Sequence, residues 1–224
     1  MRFALRLSLP DRRGALSAVA SAIGRAGANI VSLDVVGIAD GMAIDDVTVQ
    51  SDVPADILRR AVEEVPSVVV EAIRETDTFR DPTAPLGLAT EMVAAGSGAV
   101  PLLVNGLIDA LWVSWAMVVA ASITGPQVLH ASGDVPGIDE LETPWLPIED
   151  LRRLNRAPWM PAAWREQHDL EVVAAPLSQR NTALLVGRTE GPRFLDSELT
   201  QLQRLARIAV KVEVMAGNGN GGTR

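Results

Sequence analysis

The residues best suited to chemistry lie in one short stretch, Asp11 to Ile30, which reads DRRGALSAVASAIGRAGANI and follows a strand-like start. Gly14 permits a tight turn and lets a ligand approach the backbone closely. Backbone N–H groups at residues 14–16 open a predicted helix, where a carboxylate is favoured. Asn29 can donate and accept hydrogen bonds, and Asp11 can take an ammonium group. The stretch predicts a site, at one edge of a small sheet, for a ligand with a carboxylate and an amine.

A simpler interpretation of the same residues stays open. Asp11 can be the N-cap of the helix, because aspartate is a preferred capping residue, and Asn29 can be a buried turn residue. The stretch would then serve a dimerising fold whose site is empty.

The elements that position this stretch follow from hydrophobic periodicity. Apolar residues alternate in the first strand and recur at helical spacing in the helix that ends at Gly24 and Gly27. Asp40-Gly41 is a hairpin signal, and Pro54 opens a second helix. The predicted order is βαββαβ, the ferredoxin-like pattern, with strands at Arg2–Leu9, Ile30–Ile38, Met42–Gln50 and Ser67–Ile73.

The chain is long enough for two small domains. Residues 78–86 are polar, contain two prolines and lack periodicity, so they predict a linker between a domain at 1–77 and a second at 87–215. The last residues, 216–224, carry GNGNGG and predict a flexible tail. This tail contains G-x-G-x-x-G, but a dinucleotide site needs a strand before it and a helix after it.

The second half predicts an α+β domain with a central antiparallel sheet backed by terminal helices. Helical material comes first, the segment 134–169 is rich in Pro and Trp, and Asp196 is a candidate N-cap for the final helix. The expected helical segment and strands are Leu86–Leu111, Val113–Ser122, Val128–Ser132, Leu170–Ser178 and Thr182–Arg188.

The first half, Arg2 to about Asp77, resembles the ACT domain, a small regulatory amino-acid-binding module. The resemblance implies that two such domains pair and hold an amino acid or similar effector at their interface. The family's ligand contacts lie in the loop after the first strand and at the start of the second. The matching residues here are Asp11, Arg12, Gly14, Ala15, Leu16, Asn29 and Ile30.

The second half resembles a GAF domain, an α/β sandwich with an antiparallel sheet. The resemblance rests on Ala174 to Val212, where a strand pair is followed by Arg193-Phe194 and a terminal helix. It implies binding of a small molecule or a role in dimerisation only. Covalent bilin attachment needs a cysteine, and the sequence has none. The five tryptophans fall in this half, either as core or as pocket walls: Trp112, Trp115, Trp145, Trp159 and Trp164.

Catalytic and metal chemistry find little support, so no catalytic residue, metal ligand or cofactor is predicted. There is no G-x-S-x-G elbow, and His130 and His168 are interpreted as surface or strand residues. Asp45 and Asp46 are neighbours in a strand, so their side chains point to opposite faces. They are interpreted as solvated charges.

Composition excludes several classes of partner. The formal charge of −8 argues against nucleic acid, which needs a basic face. The apolar segment Ala99–Ile123 is interrupted by Pro101, Asn105 and Asp109, which favours a buried helix and a core strand over a membrane span. No signal peptide is recognised at the N-terminus, so a cytoplasmic location is expected.

These patterns predict a non-enzymatic regulatory protein. It would sense a small molecule, an amino acid first, at an interface in a homodimer, and would relay binding through the second domain. The alternative is a structural or dimerisation module without a physiological ligand, acting through a protein partner. A small enzyme using the second domain's pocket is a third possibility.

Overall fold

The computed structural model describes residues 1–76, 81–189 and 191–219. The chain divides into two compact units, Met1–Arg80 and Asp81–Arg224. Of the predicted linker, residues 78–80 lie outside the described residues, and its last part is already helical from Ala84. Asp81 stabilises the turn before this helix. Its Oδ1 accepts hydrogen bonds from the N–H of Thr83 at 2.8 Å and from the hydroxyl of Thr83 at 2.6 Å. These hydrogen bonds lower the pKa of the Asp81 carboxyl.

The first unit has the predicted βαββαβ order. Its sheet is antiparallel in the order β2-β3-β1-β4, so β2 and β4 are the edge strands. Its elements are β1 (Arg2–Pro10), α1 (Ala15–Arg25), β2 (Ala28–Ala39), β3 (Met42–Ser51), α2 (Ala55–Glu63) and β4 (Val69–Glu75).

The core of the first unit lies between the two helices and one face of the sheet. Strand β1 alternates as predicted, and its apolar residues pack with Val19 and Ile23 of α1 and with Leu58 and Val62 of α2. The residues that β1 contributes are Phe3, Leu5, Leu7 and Leu9. Leu16 continues the helical spacing of Val19 and Ile23, yet it is 37% exposed. The ferredoxin-like prediction is confirmed.

The second unit is built around a five-stranded antiparallel sheet in the order β6-β5-β9-β8-β7. This is the architecture implied by the resemblance to a GAF domain. Its elements are α3 (Ala84–Ala95), a 3-10 turn (Gly96–Gly98), α4 (Ala99–Ala110), β5 (Trp115–Ala120), β6 (Gln127–Gly133), β7 (Arg152–Leu154), α5 (Ala162–Glu166), β8 (Glu171–Pro176), β9 (Thr182–Arg188) and α6 (Asp196–Gly219).

Both faces of this sheet are covered. On one face, Ala116 and Val118 of β5 pack against apolar residues of α3, α4 and α6. On the other, Trp115, Met117 and Val119 pack against residues of the segment 134–169. The β5 side chains therefore alternate between two buried layers.

The helical segment expected over Leu86–Leu111 consists of two helices. It breaks into α3 and α4 at Gly96, whose φ of 59° lies in the left-handed region that glycine tolerates. The whole helical stretch Ala84–Ala110 is long and apolar enough to cross a membrane, by length and composition alone. Within it α4 places Leu103, Val104 and Leu107 in the core, and β5 follows it. This helix and strand match the interpretation of the apolar segment.

The final helix differs from expectation at both ends. Asp196 is its first helical residue and not its N-cap. The Glu198 carboxylate accepts a hydrogen bond from the N–H of Leu195 at 2.8 Å and so satisfies that end of the helix. At the other end the helix runs to Gly219, into the predicted tail, where Ala216 lies beside Gly96. Residues 220–224 lie outside the described residues.

Candidate functional site

The loop after β1 leaves the start of α1 without a side-chain cap. Gly14 is the N-cap residue, with φ of 87°, and within the described part of the chain no side-chain hydrogen bond caps this end. Asp11 therefore does not cap the helix, which removes the simpler interpretation of that residue. An uncapped N-terminus presents backbone N–H groups and the positive end of the helix dipole. This end of α1 suits an anion.

A cavity of about 210 Å³ lies at this uncapped end. Arg12 and Arg13 are among its lining residues, and both are exposed. The cavity is lined by Pro10, Arg12, Arg13, Gly14, Ala15, Ala18, Val65, Pro66 and Val68. The positive end of the helix and the positive charges of the two arginines both attract an anion. The cavity therefore has the electrostatics of a carboxylate site.

Three backbone hydrogen bonds shape the loop. The N–H of Asp11 donates to the carbonyl of Gly41 at 2.9 Å, and the N–H of Arg12 donates to Pro10. The N–H of Ala15 donates to the carbonyl of Arg12 at 3.2 Å. The expectation that Ala15 offers a free N–H is therefore wrong, because the turn itself uses that donor. Leu16 is the next N–H along the helix.

The two halves of the predicted site lie at opposite ends of the sheet. Asn29 pairs with Gln50, which in turn pairs with Arg2 at the start of β1. The loop with Asp11 follows the other end of β1. The separation is the length of this strand, about 25 Å at about 3.3 Å per residue. The expectation that one chain brings loop and Asn29 to the same edge is wrong, because α1 carries the chain back across the sheet before β2 begins.

Asn29 and Ile30 lie instead near the start of β2, which is an edge strand of the sheet. Strand β2 is 12 residues long and forms one border of the sheet. Along it Val35 is 61% exposed and Ile38 is 64% exposed. A long apolar edge strand is a template for pairing with another chain.

Asp45 and Asp46 point to opposite faces of β3, as predicted, but neither is solvated. Asp46 is 5% exposed and pairs with Arg6, whereas Asp45 is 2% exposed. Among the described residues the Oδ1 atom of Asp45 has no hydrogen-bond partner, and burial raises the pKa of this carboxyl. The strand pattern could not reveal this, since the partner of Asp46 comes from the register with β1.

In the second unit the tryptophans mostly form core. Trp112, Trp115, Trp145 and Trp164 are buried, and the rings of Trp115 and Trp164 lie 5.4 Å apart. Trp159 is half-buried. The sheet face opposite the helices is thus filled by side chains of the chain itself.

Neither histidine is buried: His130 lies on β6 and His168 precedes β8, and both are exposed. The described part of the chain, 1–76, 81–189 and 191–219, contains no group of three His, Asp or Glu side chains that could hold a metal ion.

Sequence reasoning missed the far wall of the cavity in the first unit. Val65, Pro66 and Val68 belong to the connection from α2 to β4 and carry no chemical signal of their own. Arg13 also lines the cavity, and its position beside Gly14 was the available clue.

Comparison with known proteins gave one family model and a set of solved structures. The ACT domain family model matches residues 3–75. A search among curated proteins gave no match. The GAF domain from Acinetobacter phosphoenolpyruvate-protein phosphotransferase is similar at 14% identity and a TM-score of 0.43, over 62% of this chain and 96% of that one.

Two further solved structures are similar at low identity. The GAF domain/HD domain protein from Geobacter sulfurreducens has 18% identity and a TM-score of 0.41, over 60% of this chain and 98% of that one. The chromophore-binding domain of a bacteriophytochrome from R. palustris has 9% identity and a TM-score of 0.46, over 86% of this chain and 70% of that one.

Proposed function

Since residues 3–75 form an ACT domain, we propose that the chain is a regulatory protein without enzymatic activity that binds an amino acid between two ACT domains. ACT domains are small-molecule regulatory domains. The observation that carries the proposal is the uncapped start of α1, with Arg12 and Arg13 beside the cavity. The ligand's carboxylate would bind there, and the exposed Asp11 carboxylate would take its ammonium group.

A second copy of the chain supplies the remaining contact. If the β2 edges of two copies run antiparallel, the start of one strand lies beside the end of the other. Asn29 of the second copy then approaches Ile38 and, beyond it, the loop at Asp11. The exposed Val35 and Ile38 favour this pairing, because cross-strand neighbours on the second copy would cover part of their apolar surface. Two equivalent sites result, as a two-fold axis requires.

Regulation would follow from this shared site. A ligand that contacts both copies stabilises the paired arrangement by its difference in affinity for the paired and unpaired states. The second domain would relay that difference to a partner protein.

The alternative is a dimerisation module without a physiological ligand. The apolar β2 edge supports it, because pairing of two such edges needs no small molecule. In that case Asn29→Ala changes the stability of the protein and nothing else.

A thermal-shift screen against the twenty amino acids and common nucleotides separates these proposals. A ligand at 100 times its Kd adds about 2.7 kcal/mol of stability. We expect one amino acid to raise the Tm of the parent and of Arg25→Ala, a matched exposed arginine at the other end of α1. Arg12→Ala, Asp11→Ala and Asn29→Ala should abolish the rise.

Mixing two inactive variants tests whether the site is shared. In a heterodimer of Arg12→Ala and Asn29→Ala, one site loses both residues and the other keeps both. After unfolding and refolding an equal mixture, about a quarter of the sites should bind again, since half of the dimers are mixed. No recovery would place the site within one chain. If no amino acid binds the parent, the dimerisation module is the better account.

A further inference from the structure

The sheet of the second unit has two edge strands that differ in length. Strand β7 has three residues (Arg152–Leu154), and so short a strand offers little edge for pairing. Strand β6 has seven residues (Gln127–Gly133), and among the strands that the structure describes it pairs with β5 alone. Ser132 is half-buried and the other residues of β6 are exposed. The side of β6 away from β5 is therefore an exposed edge of the described sheet.

This edge carries neither a charge nor a proline, the residues that commonly keep edge strands from pairing. The sequence of β6 is QVLHASG. Two of its apolar side chains face water, since Val128 is 38% exposed and Leu129 is 49% exposed. The register between β5 and β6 skips Leu129, so this bulge residue has no partner on β5. A further strand on the open side would give Leu129 a cross-strand neighbour.

Strand β6 is complementary to a second copy of itself. An antiparallel pair of identical strands has a two-fold axis, and only an axis at the middle residue, His130, pairs all seven residues. In that register Leu129 lies opposite Ala131 of the second copy, and Val128 lies opposite Ser132 of the second copy. Each larger apolar side chain thus meets a small one, and cross-strand pairs of this kind stabilise a sheet.

Charge also favours a second copy as the occupant. The chain has a formal charge of −8, so two copies repel each other wherever acidic residues meet. An uncharged strand avoids this repulsion along its whole length. The nearest charged residue along the chain, Asp134, would lie opposite Pro126 of the second copy, beyond the paired residues.

We propose that β6 is an interaction surface for a second copy of this chain, whose β6 pairs with it antiparallel about His130. The two five-stranded sheets then form one continuous sheet. Backbone N–H and C=O groups on the open side of β6 gain partners, and Val128 and Leu129 lose contact with water. Every residue of the contact belongs to the second unit, so the proposal rests neither on amino-acid binding nor on β2 pairing in the first unit.

Disulfide cross-linking of the full chain tests the proposal, because the chain has no cysteine of its own. Directly opposite residues of an antiparallel pair have Cα atoms about 4.5–5.5 Å apart, within the range of about 4.4–6.8 Å that a disulfide bridges. Under a mild oxidant we expect His130→Cys to form a covalent dimer at least tenfold faster than Ile123→Cys. Ile123 lies in the turn before β6 and is fully exposed, so its variant measures random collision.

A mixture of two variants tests the register. Val128 and Ser132 each lie two residues from the axis, so two copies of the same variant place their cysteines about 13 Å apart at about 3.3 Å per residue. Val128→Cys alone and Ser132→Cys alone should therefore cross-link only at the rate of Ile123→Cys. In an equal mixture, with one variant carrying a size tag, we expect a covalent heterodimer at least tenfold faster.

Two lysine variants locate the contact within the chain. Leu129→Lys places a charge on the edge and should slow the cross-linking of His130→Cys at least tenfold. Ile38→Lys, on the β2 edge of the first unit, should leave that rate unchanged. Far-UV circular dichroism checks that all variants are folded.

Three results would overturn the proposal. The first is that His130→Cys cross-links no faster than Ile123→Cys. The second is that the mixture of Val128→Cys and Ser132→Cys gives no heterodimer above the collision rate. The third is that Ile38→Lys slows the cross-linking of His130→Cys as much as Leu129→Lys does, because the contact would then depend on the first unit.

Discussion

Arg6 of β1 and Asp46 of β3 lie opposite each other and form a bidentate ion pair. Nε of Arg6 lies 2.7 Å from Oδ1 of Asp46, and Nη2 lies 2.8 Å from Oδ2. Arg6 is 0% exposed and Asp46 is 5% exposed. The parallel geometry fits the fork of a guanidinium to a carboxylate, so two buried charges compensate each other on the sheet face away from α1 and α2.

Removing one partner of this pair should destabilise the first unit. Arg6→Met or Asp46→Asn removes one half of a buried ion pair, at a cost of about 3–5 kcal/mol. The combined change Arg6→Met/Asp46→Leu should recover much of the loss, because an apolar pair of similar volume needs no compensation. Hydrogen exchange of the β1 and β3 amides measures the effect in this unit, which contains no tryptophan.

The exposed pair Arg60–Asp56 provides the control. Their side chains are 73% and 60% exposed, and such pairs contribute about 0–1 kcal/mol. Arg60→Met should change the stability measured by hydrogen exchange of the β1 and β3 amides by no more than about 1 kcal/mol. A loss as large as that of Arg6→Met would show that burial is not the cause.

Asp45 should make the stability of the first unit depend on pH. Burial raises the pKa of its carboxyl above 3.8, so the folded state holds this proton more tightly than the unfolded state does. The resulting stability is complete below pH 3.8 and is lost as the pH rises through the raised pKa. Asp45→Asn should therefore be more stable than the parent at pH 7, with a difference that shrinks in acid. Thermal unfolding from pH 3 to 8 measures it, and a difference in stability that stays constant over this range would contradict the role of burial.

In the second unit Arg188 joins β9 to the start of α6. Its Nη1 and Nη2 atoms lie 3.2 and 3.1 Å from the Glu198 carboxylate, its Nε donates to the carbonyl of Trp112, and its guanidinium lies 4.0 Å above the Phe194 ring. Arg188→Met should cost about 3–5 kcal/mol, because Glu198 stays buried. Tryptophan fluorescence in urea reports on this unit. Arg204→Met, on the exposed side of α6, should have little effect, and equal losses would contradict the assignment.

Gly187 should tolerate no side chain. Gly187→Ala places a methyl group within 2 Å of the Trp115 ring, and overpacking of a core costs about 1–3 kcal/mol or more. Gly137→Ala meets its nearest neighbour, Oδ2 of Asp139, only at 3.9 Å and serves as the matched control. Urea midpoints should fall for the first variant and stay near the parent for the second. A parent-like Gly187→Ala would mean that the ring moves freely.

Local hydrophobic patterns in the sequence were sufficient to predict most of the helices and strands. Alternation in β1 and the helical spacing of Val19 and Ile23 were sufficient to predict the ferredoxin-like unit, because both arise from one buried face. The break at Gly96 and the short strand β7 were missed. The presence of a glycine in the sequence does not reveal its φ angle. A strand of three residues, such as β7, is too short to show a hydrophobic period.

The site was harder to predict because it depends on the end of the sheet at which each strand begins. The sequence placed Asn29 shortly after the loop, yet α1 returns the chain to the opposite end before β2 starts. Asp45 and Asp46 likewise looked solvated, since a strand pattern cannot show that Arg6 lies opposite one of them. Such relationships exist only in the register between strands.

The hydrogen bond from the Asp11 N–H to the carbonyl of Gly41 has a mechanical consequence. It fastens the loop at the start of α1 to the turn that joins β2 to β3. A displacement of either segment relative to the other therefore strains this hydrogen bond. The turn therefore connects the cavity at the start of α1 with the exposed edge strand β2.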